Sequence, residues 1–100
     1  MIANILEILD RWVAARREPL AVRGIKVSVT FGSADRIPQA AWADFESATR
    51  AARLTLWADG QANLGVLDFE KDEELIDEHR EITDTIGFDG VEQTILSWLG

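Results

Sequence analysis

The 100-residue chain contains no cysteine and no tyrosine, one histidine and two prolines, and its ten basic residues are outnumbered by eighteen acidic ones. Without cysteine there is no disulfide framework, no thiolate nucleophile and no cysteine-ligated zinc or iron-sulfur site. The solitary histidine, His79, removes histidine-pair metal sites and leaves a single candidate base for a Ser-His-Asp arrangement. Gly60 and Gly65 have the spacing that opens a phosphate-binding loop, but Val66 and Leu67 stand where lysine and a hydroxyl residue would be needed. The shortage of positive charge, a formal net −8 with a pI near 4.5, argues against direct binding to nucleic acid or an anionic membrane. High solubility and a basic partner remain as two readings of it. Long apolar runs are also missing: Glu7 and Asp10 interrupt the first one and no basic residue precedes it, so a cleaved secretory signal is not expected and the cytoplasm is the expected compartment.

What is present is ordinary for a globular protein, 47% hydrophobic and 28% charged, and the length predicts one domain over 1–100 with one small core. Ile2, Ile5, Leu6, Leu9, Trp12 and Val13 recur at helical steps, and Pro19 predicts that this helix ends by Glu18. The period then becomes two: Ile25, Val27, Val29 and Phe31 alternate with Lys26, Ser28 and Thr30, the pattern of a half-buried strand. Residues 35–41 read as a loop around Pro38 and 42–49 as a second strand. Near the C-terminus, Asp89 with Glu92 three residues on predicts a capping box, followed by a buried stripe of Val91, Ile95, Trp98 and Leu99.

Residues 54–66 form two alternating runs around Asp59-Gly60, a β-hairpin pattern. A two-residue turn would set Leu56 against Asn63 and Leu54 against Gly65. A three-residue turn with Gly60 left-handed instead pairs Leu56 with Ala62, Leu54 with Leu64 and Ala52 with Val66, and this register is expected because it matches apolar with apolar. It places Trp57 on the opposite face beside Arg53, Thr55, Gln61 and Asn63, either covered by another element together with Leu67 and Phe69 or left open. Residues 71–86 fit both a helix, through Leu75, Ile76, His79, Ile82 and Ile86, and a strand returning along the sheet. The expected architecture is α+β: an N-terminal helix, an antiparallel sheet of about four to five strands with hairpin connections, and a C-terminal helix.

The charge is unevenly placed. Up to Ala40 there are six basic and four acidic residues; beyond it there are four basic and fourteen acidic. Nine acids fall between Asp68 and Asp84 against only Lys71 and Arg80. Like charges this close repel by up to about 1 kcal/mol per exposed contact at 4 Å, so an acidic face selected for binding is favoured over simple solubility. Asp68, Glu70 and Asp72 alternate as calcium ligands do, but Glu73 occupies the place of the required glycine and no bidentate glutamate closes the loop. Carboxylate pairs for hydrolysis are too many for any one to stand out, so a small enzyme is the third reading and no catalytic residue, metal or cofactor is assigned. A docking surface for a basic protein requires only clustered carboxylates near an aromatic anchor.

The run Leu54-Thr55-Leu56-Trp57 with Gly60, Asp68 eight residues further on and then Glu78-His79 resembles the TriTu-type immunity proteins of bacterial polymorphic toxin systems. The likeness spans about Asp44 to Leu99; Ala58-Asp59 departs from the Glu-Ser expected after the tryptophan. The resemblance implies a small α+β protein with a strand through Glu78-His79, acting by binding and not as an enzyme. It also implies that Trp57, Glu70, Asp72, Glu73 and Glu78 contact a basic toxin domain, one acting on nucleic acid, with carboxylates standing in for phosphates. His79 is expected to be structural, bonding Asp68 or a neighbouring backbone group. The protein itself is expected to be a monomer or weak homodimer with no contact to nucleic acid or membrane. An acidic secretion chaperone holding an unfolded effector segment as a dimer is the alternative.

Overall fold

The computed structural model describes residues 4–99 apart from Ala34 and Arg36, so Ile2 in the first apolar stripe lies outside the described residues. Helix α1 (Ile5–Val22) starts at Asn4, whose Oδ1 accepts a hydrogen bond from the Leu6 amide at 2.9 Å, and it buries Ile5, Leu6, Leu9, Trp12, Val13 and Leu20. It runs past Glu18, with Pro19 inside it, because termination is decided five residues later. The Gly24 amide donates to the Ala21 carbonyl and the Ile25 amide to the Leu20 carbonyl, with Gly24 left-handed at φ +79°; this is a Schellman end, closed by the buried Leu20 and Ile25 side chains.

Five strands follow as an antiparallel meander in the order β1-β2-β3-β4-β5: β1 (Lys26–Phe31), β2 (Ala40–Glu46), β3 (Arg50–Trp57), β4 (Gln61–Asp68) and β5 (Glu73–Glu81). Ile25 precedes the first strand, and the second starts at Ala40 and stops at Glu46, earlier at both ends than its composition suggested. The β3–β4 hairpin adopts the three-residue turn, with Leu56 opposite Ala62, Leu54 opposite Leu64, Ala52 opposite Val66, and Gly60 at φ +93°. The ambiguous segment is a strand: β5 pairs along the length of β4, with a register shift at Val66/Leu67.

Helix α2 (Thr85–Leu99) begins before Asp89. Asp84 supplies the cap, its Oδ1 accepting from the Ile86 amide at 3.1 Å and the Gly87 amide at 3.3 Å, while Asp89 is exposed one turn further along. Both candidates are aspartates; Asp84 takes the role because it immediately precedes Thr85, where α2 starts. Both helices lie on one face of the sheet. The small side chains Ala41, Ala43, Ala52 and Ala62 let them approach, and Phe45, Leu54, Leu56, Leu64 and Val66 fill the remaining space, each large side chain contributing about 1.5–3 kcal/mol by burial. Trp12 joins the layers, stacked on Phe88 at 5.3 Å and edge-on to Phe45 at 6.3 Å. Among the described residues, no helix is long and apolar enough to cross a membrane.

Candidate functional site

Alternation along each strand sends every second side chain away from the helices, so the sheet has one open face. On it stand Trp42, Asp44 and Glu46 from β2, Ala51, Arg53, Thr55 and Trp57 from β3, Gln61, Asn63, Gly65 and Leu67 from β4, and Asp77, His79 and Glu81 from β5. Neither helix covers it. Trp57 is half-buried there, lining a groove with Ile37, Pro38, Gln61 and His79 at the end of the sheet that carries the β3–β4 turn.

The centre of the face is occupied by a polar bracket. Arg53 donates from Nε to Asp44 Oδ1 at 2.6 Å and from Nη2 to Asp44 Oδ2 at 3.2 Å, and its guanidinium lies 5.8 Å from the Trp42 ring centre. These bonds to Asp44 hold the Arg53 proton more firmly than usual, against a small opposing effect of burial. Beside it Asn63 Nδ2 donates to Asp77 Oδ1 at 3.0 Å. At the far end a second groove of about 390 Å³ is lined by Ala51, Gly65, Leu67 and Phe69, by the paired Arg53 and Asp44, and by Glu46 and Glu74.

The acidic residues singled out in the sequence fall in three places. Glu70, Asp72 and Glu73 are exposed together in the β4–β5 loop and the first residue of β5, with Asp72 left-handed at φ +48°, a conformation aspartate tolerates. Trp57 lies at the other end of β3, about 23 Å away at about 3.3 Å per residue over seven steps. Glu78 is opposite Leu64, so it belongs to the helix side of the sheet, where it accepts from Arg80 Nε at 2.9 Å; Arg80 Nη2 also donates to Thr94 Oγ1 of α2 at 2.9 Å. Trp57 and the loop carboxylates are thus two ends of one surface, and Glu78 faces away from both.

Asp68 and His79 do not meet. His79 is opposite Asn63 on the open face, whereas Asp68 is buried at the end of β4 and bonds Arg50 and the backbone of its own loop. The expected His79–Asp68 contact fails because five residues of strand separate the position of Asn63 from that of Asp68. Leu67 and Phe69 were expected with Trp57, whereas Gly65 was not placed on this face. The signal was available in the period-two phase running from Gln61 through Asn63, Gly65 and Leu67 to Phe69. Among the described residues, no group of three or more His, Asp or Glu side chains is placed to hold a metal ion.

Comparison with known protein families gives a match over residues 7–98, to the family described as Immunity protein TriTu. No curated protein matches the chain.

Proposed function

The chain belongs to the TriTu immunity protein family, and from that premise we propose that it binds a cognate bacterial toxin and neutralises it through an acidic surface made by β5, the β4–β5 loop and the adjoining open face. The observation that supports this reading is the position of the carboxylates. β5 is an edge strand, and Glu70, Asp72 and Glu73 at its entrance continue into Asp77 and Glu81 on the open face, with Glu78 on the reverse side of the same edge. A partner approaching that edge meets negative charge from the loop and from the open face, whereas Glu78 on the reverse side is paired with Arg80. Trp57 provides an aromatic contact at the other end of the open face.

The dimensions allow both contacts at once. A standard interface takes about 800 Å² per partner, a patch about 32 Å across, which spans the separation between Trp57 and the loop and uses about an eighth of the 6176 Å² surface. The partner's matching surface is basic, in keeping with a toxin domain that acts on nucleic acid, and the carboxylates occupy positions its substrate phosphates would take. In this reading the protein works by occupancy and not by turnover.

Calorimetric titration against the cognate toxin domain, at rising sodium chloride, tests the proposal. The expected result is tight binding that weakens at least tenfold between low and high salt, and a further tenfold loss in the Glu70→Lys/Glu73→Lys variant. Binding indifferent to both salt and charge reversal, or no binding at all, would overturn it.

A further inference from the structure

Gly65 occupies the middle of β4, hydrogen-bonded into the sheet between Arg53 of β3 and Asp77 of β5. Glycine weakens the interior of a strand because it gains more freedom on unfolding and packs nothing. The backbone does not require it here: the left-handed glycines of the described chain are Gly24 and Gly60, and Gly65 is not among them. Nor does the packing require it, since a Cβ at Gly65 would meet only the Ile76 carbonyl oxygen, at an ordinary 3.7 Å. What the missing side chain does is leave the floor of the 390 Å³ groove bare.

The neighbours shape it. The long Arg53 side chain, directly across the ladder, lines the groove together with Asp44, which pairs its charge through two hydrogen bonds. Leu67 and Phe69 flank the floor with 42% and 53% of their surface exposed, an unusual allowance for two large apolar residues in adjacent positions of one face. Glu46 and Glu74 also line it and form no ion pair among the described residues. A lining that is apolar apart from the mutually paired Arg53 and Asp44, with two unpaired carboxylates beside it, complements an apolar side chain with a cation next to it.

We propose that the groove over Gly65 receives one apolar side chain of the toxin, with an adjacent lysine or arginine reaching Glu46 and Glu74. The inference rests on the toxin-binding reading above and names where the partner is anchored. A second copy of this chain is a poor occupant, because it brings a net −8 to a lining that is already acidic.

The test fills the groove from below. Gly65→Leu is expected to fold with an unchanged or higher melting temperature, since the Cβ site is open, and to lose at least tenfold in toxin affinity; Gly65→Ala should lose less. Leu67→Ser/Phe69→Ser removes the walls at exposed positions and should weaken binding likewise, whether or not Gly65→Leu folds. Glu46→Gln/Glu74→Gln should reduce the salt dependence of binding. If Glu70→Lys/Glu73→Lys weakens binding while Gly65→Leu and the serine variant bind within twofold of the parent, the groove is not the anchor and the acidic interface stands. If the parent chain does not bind the toxin, both readings fall. Sedimentation showing a dimer that Gly65→Leu dissociates would assign the groove to a second copy and overturn the proposal.

Discussion

Arg50 and Asp68 face each other across β3 and β4, Nε to Oδ2 at 3.3 Å, and the same guanidinium donates from Nη1 to the Trp98 carbonyl at 2.8 Å while lying 5.5 Å from the Trp98 ring centre. One residue thereby ties the sheet to the last turn of α2, where the helix has carbonyls without intrahelical partners. Asp68 completes the junction by accepting from the Glu70 and Lys71 amides at 3.0 and 3.1 Å, which shapes the loop that presents Glu70 and Asp72.

The Lys71 amide, followed by Arg50 and the Glu70 amide, holds the Asp68 carboxyl below the usual aspartate range, outweighing the opposing effect of burial. A carboxyl lowered in the folded state adds stability above its unfolded value, about 3.9, and this is lost as pH falls through the folded value. Asp68→Asn should therefore lower the melting temperature at pH 7, with the gap to the parent narrowing below about pH 4. Thermal melts from pH 3 to 7 check this; a gap constant across that range would mean the ionised carboxylate contributes nothing.

Gly87 lets α2 start against the end of β5: a Cβ there would sit 2.9 Å from Ile82 Cγ2, closer than carbon atoms pack. Gly87→Ala should destabilise by about 1–3 kcal/mol through overpacking, despite alanine's better helix propensity. Ile82→Ala, which removes both Cγ atoms that a Cβ at position 87 would meet, should cost less in the Gly87→Ala background than in the parent. Chemical denaturation of the two single variants and the double variant measures the coupling, and strict additivity would refute the clash.

Gly60 is left-handed at φ +93°, and a Cβ would also press on the Ile82 carbonyl oxygen and Thr83 Cγ2, both at 3.2 Å. Gly60→Ala should cost on the order of 1–2 kcal/mol. The Ile82 amide donates to the Gly60 carbonyl at 2.8 Å, so amide exchange at Ile82 should quicken in this variant. Protection at Ile82 equal to the parent's would show that the turn tolerates alanine.

Trp57 is half-buried on the open face and contributes nothing to the packed core. Trp57→Ala should change folding stability by less than about 1 kcal/mol, as surface substitutions away from caps and cores do, while weakening toxin binding by about 2 kcal/mol or more if it is an interface anchor. Measuring stability and affinity on the same preparation separates the two. A large stability loss with unchanged affinity would return Trp57 to a purely structural role.

Local chemistry was enough to read several elements from the residues. The stripe from Ile5 to Val13 can bury itself only as a helix, and matching Leu54 with Leu64 leaves the β3–β4 hairpin one register, because a slip by one residue would put the two leucines on opposite faces. The helix ends were misread where two local devices competed. Pro19 looked terminal, but Leu20, Gly24 and Ile25 close α1 later; Asp89 looked like a cap, but Asp84 lies where α2 starts.

Other features existed only once the chain was assembled. Residues 73–81 satisfy a helical and a strand pattern equally, and the free edge of β4 decided for the strand by offering a ladder along its whole length. Acidity after a tryptophan-bearing hairpin read as one cluster along the chain. In space the strands carry Trp57 and Glu70 to opposite ends of the open face and turn Glu78 to the other side, because a strand separates its ends and alternates its faces. The amino-acid sequence by itself determined a family, a hairpin register and an acidic half. Which carboxylates share a surface, and which glycine leaves a groove in it, was decided by strand pairing, since neither is a property of neighbours in the chain.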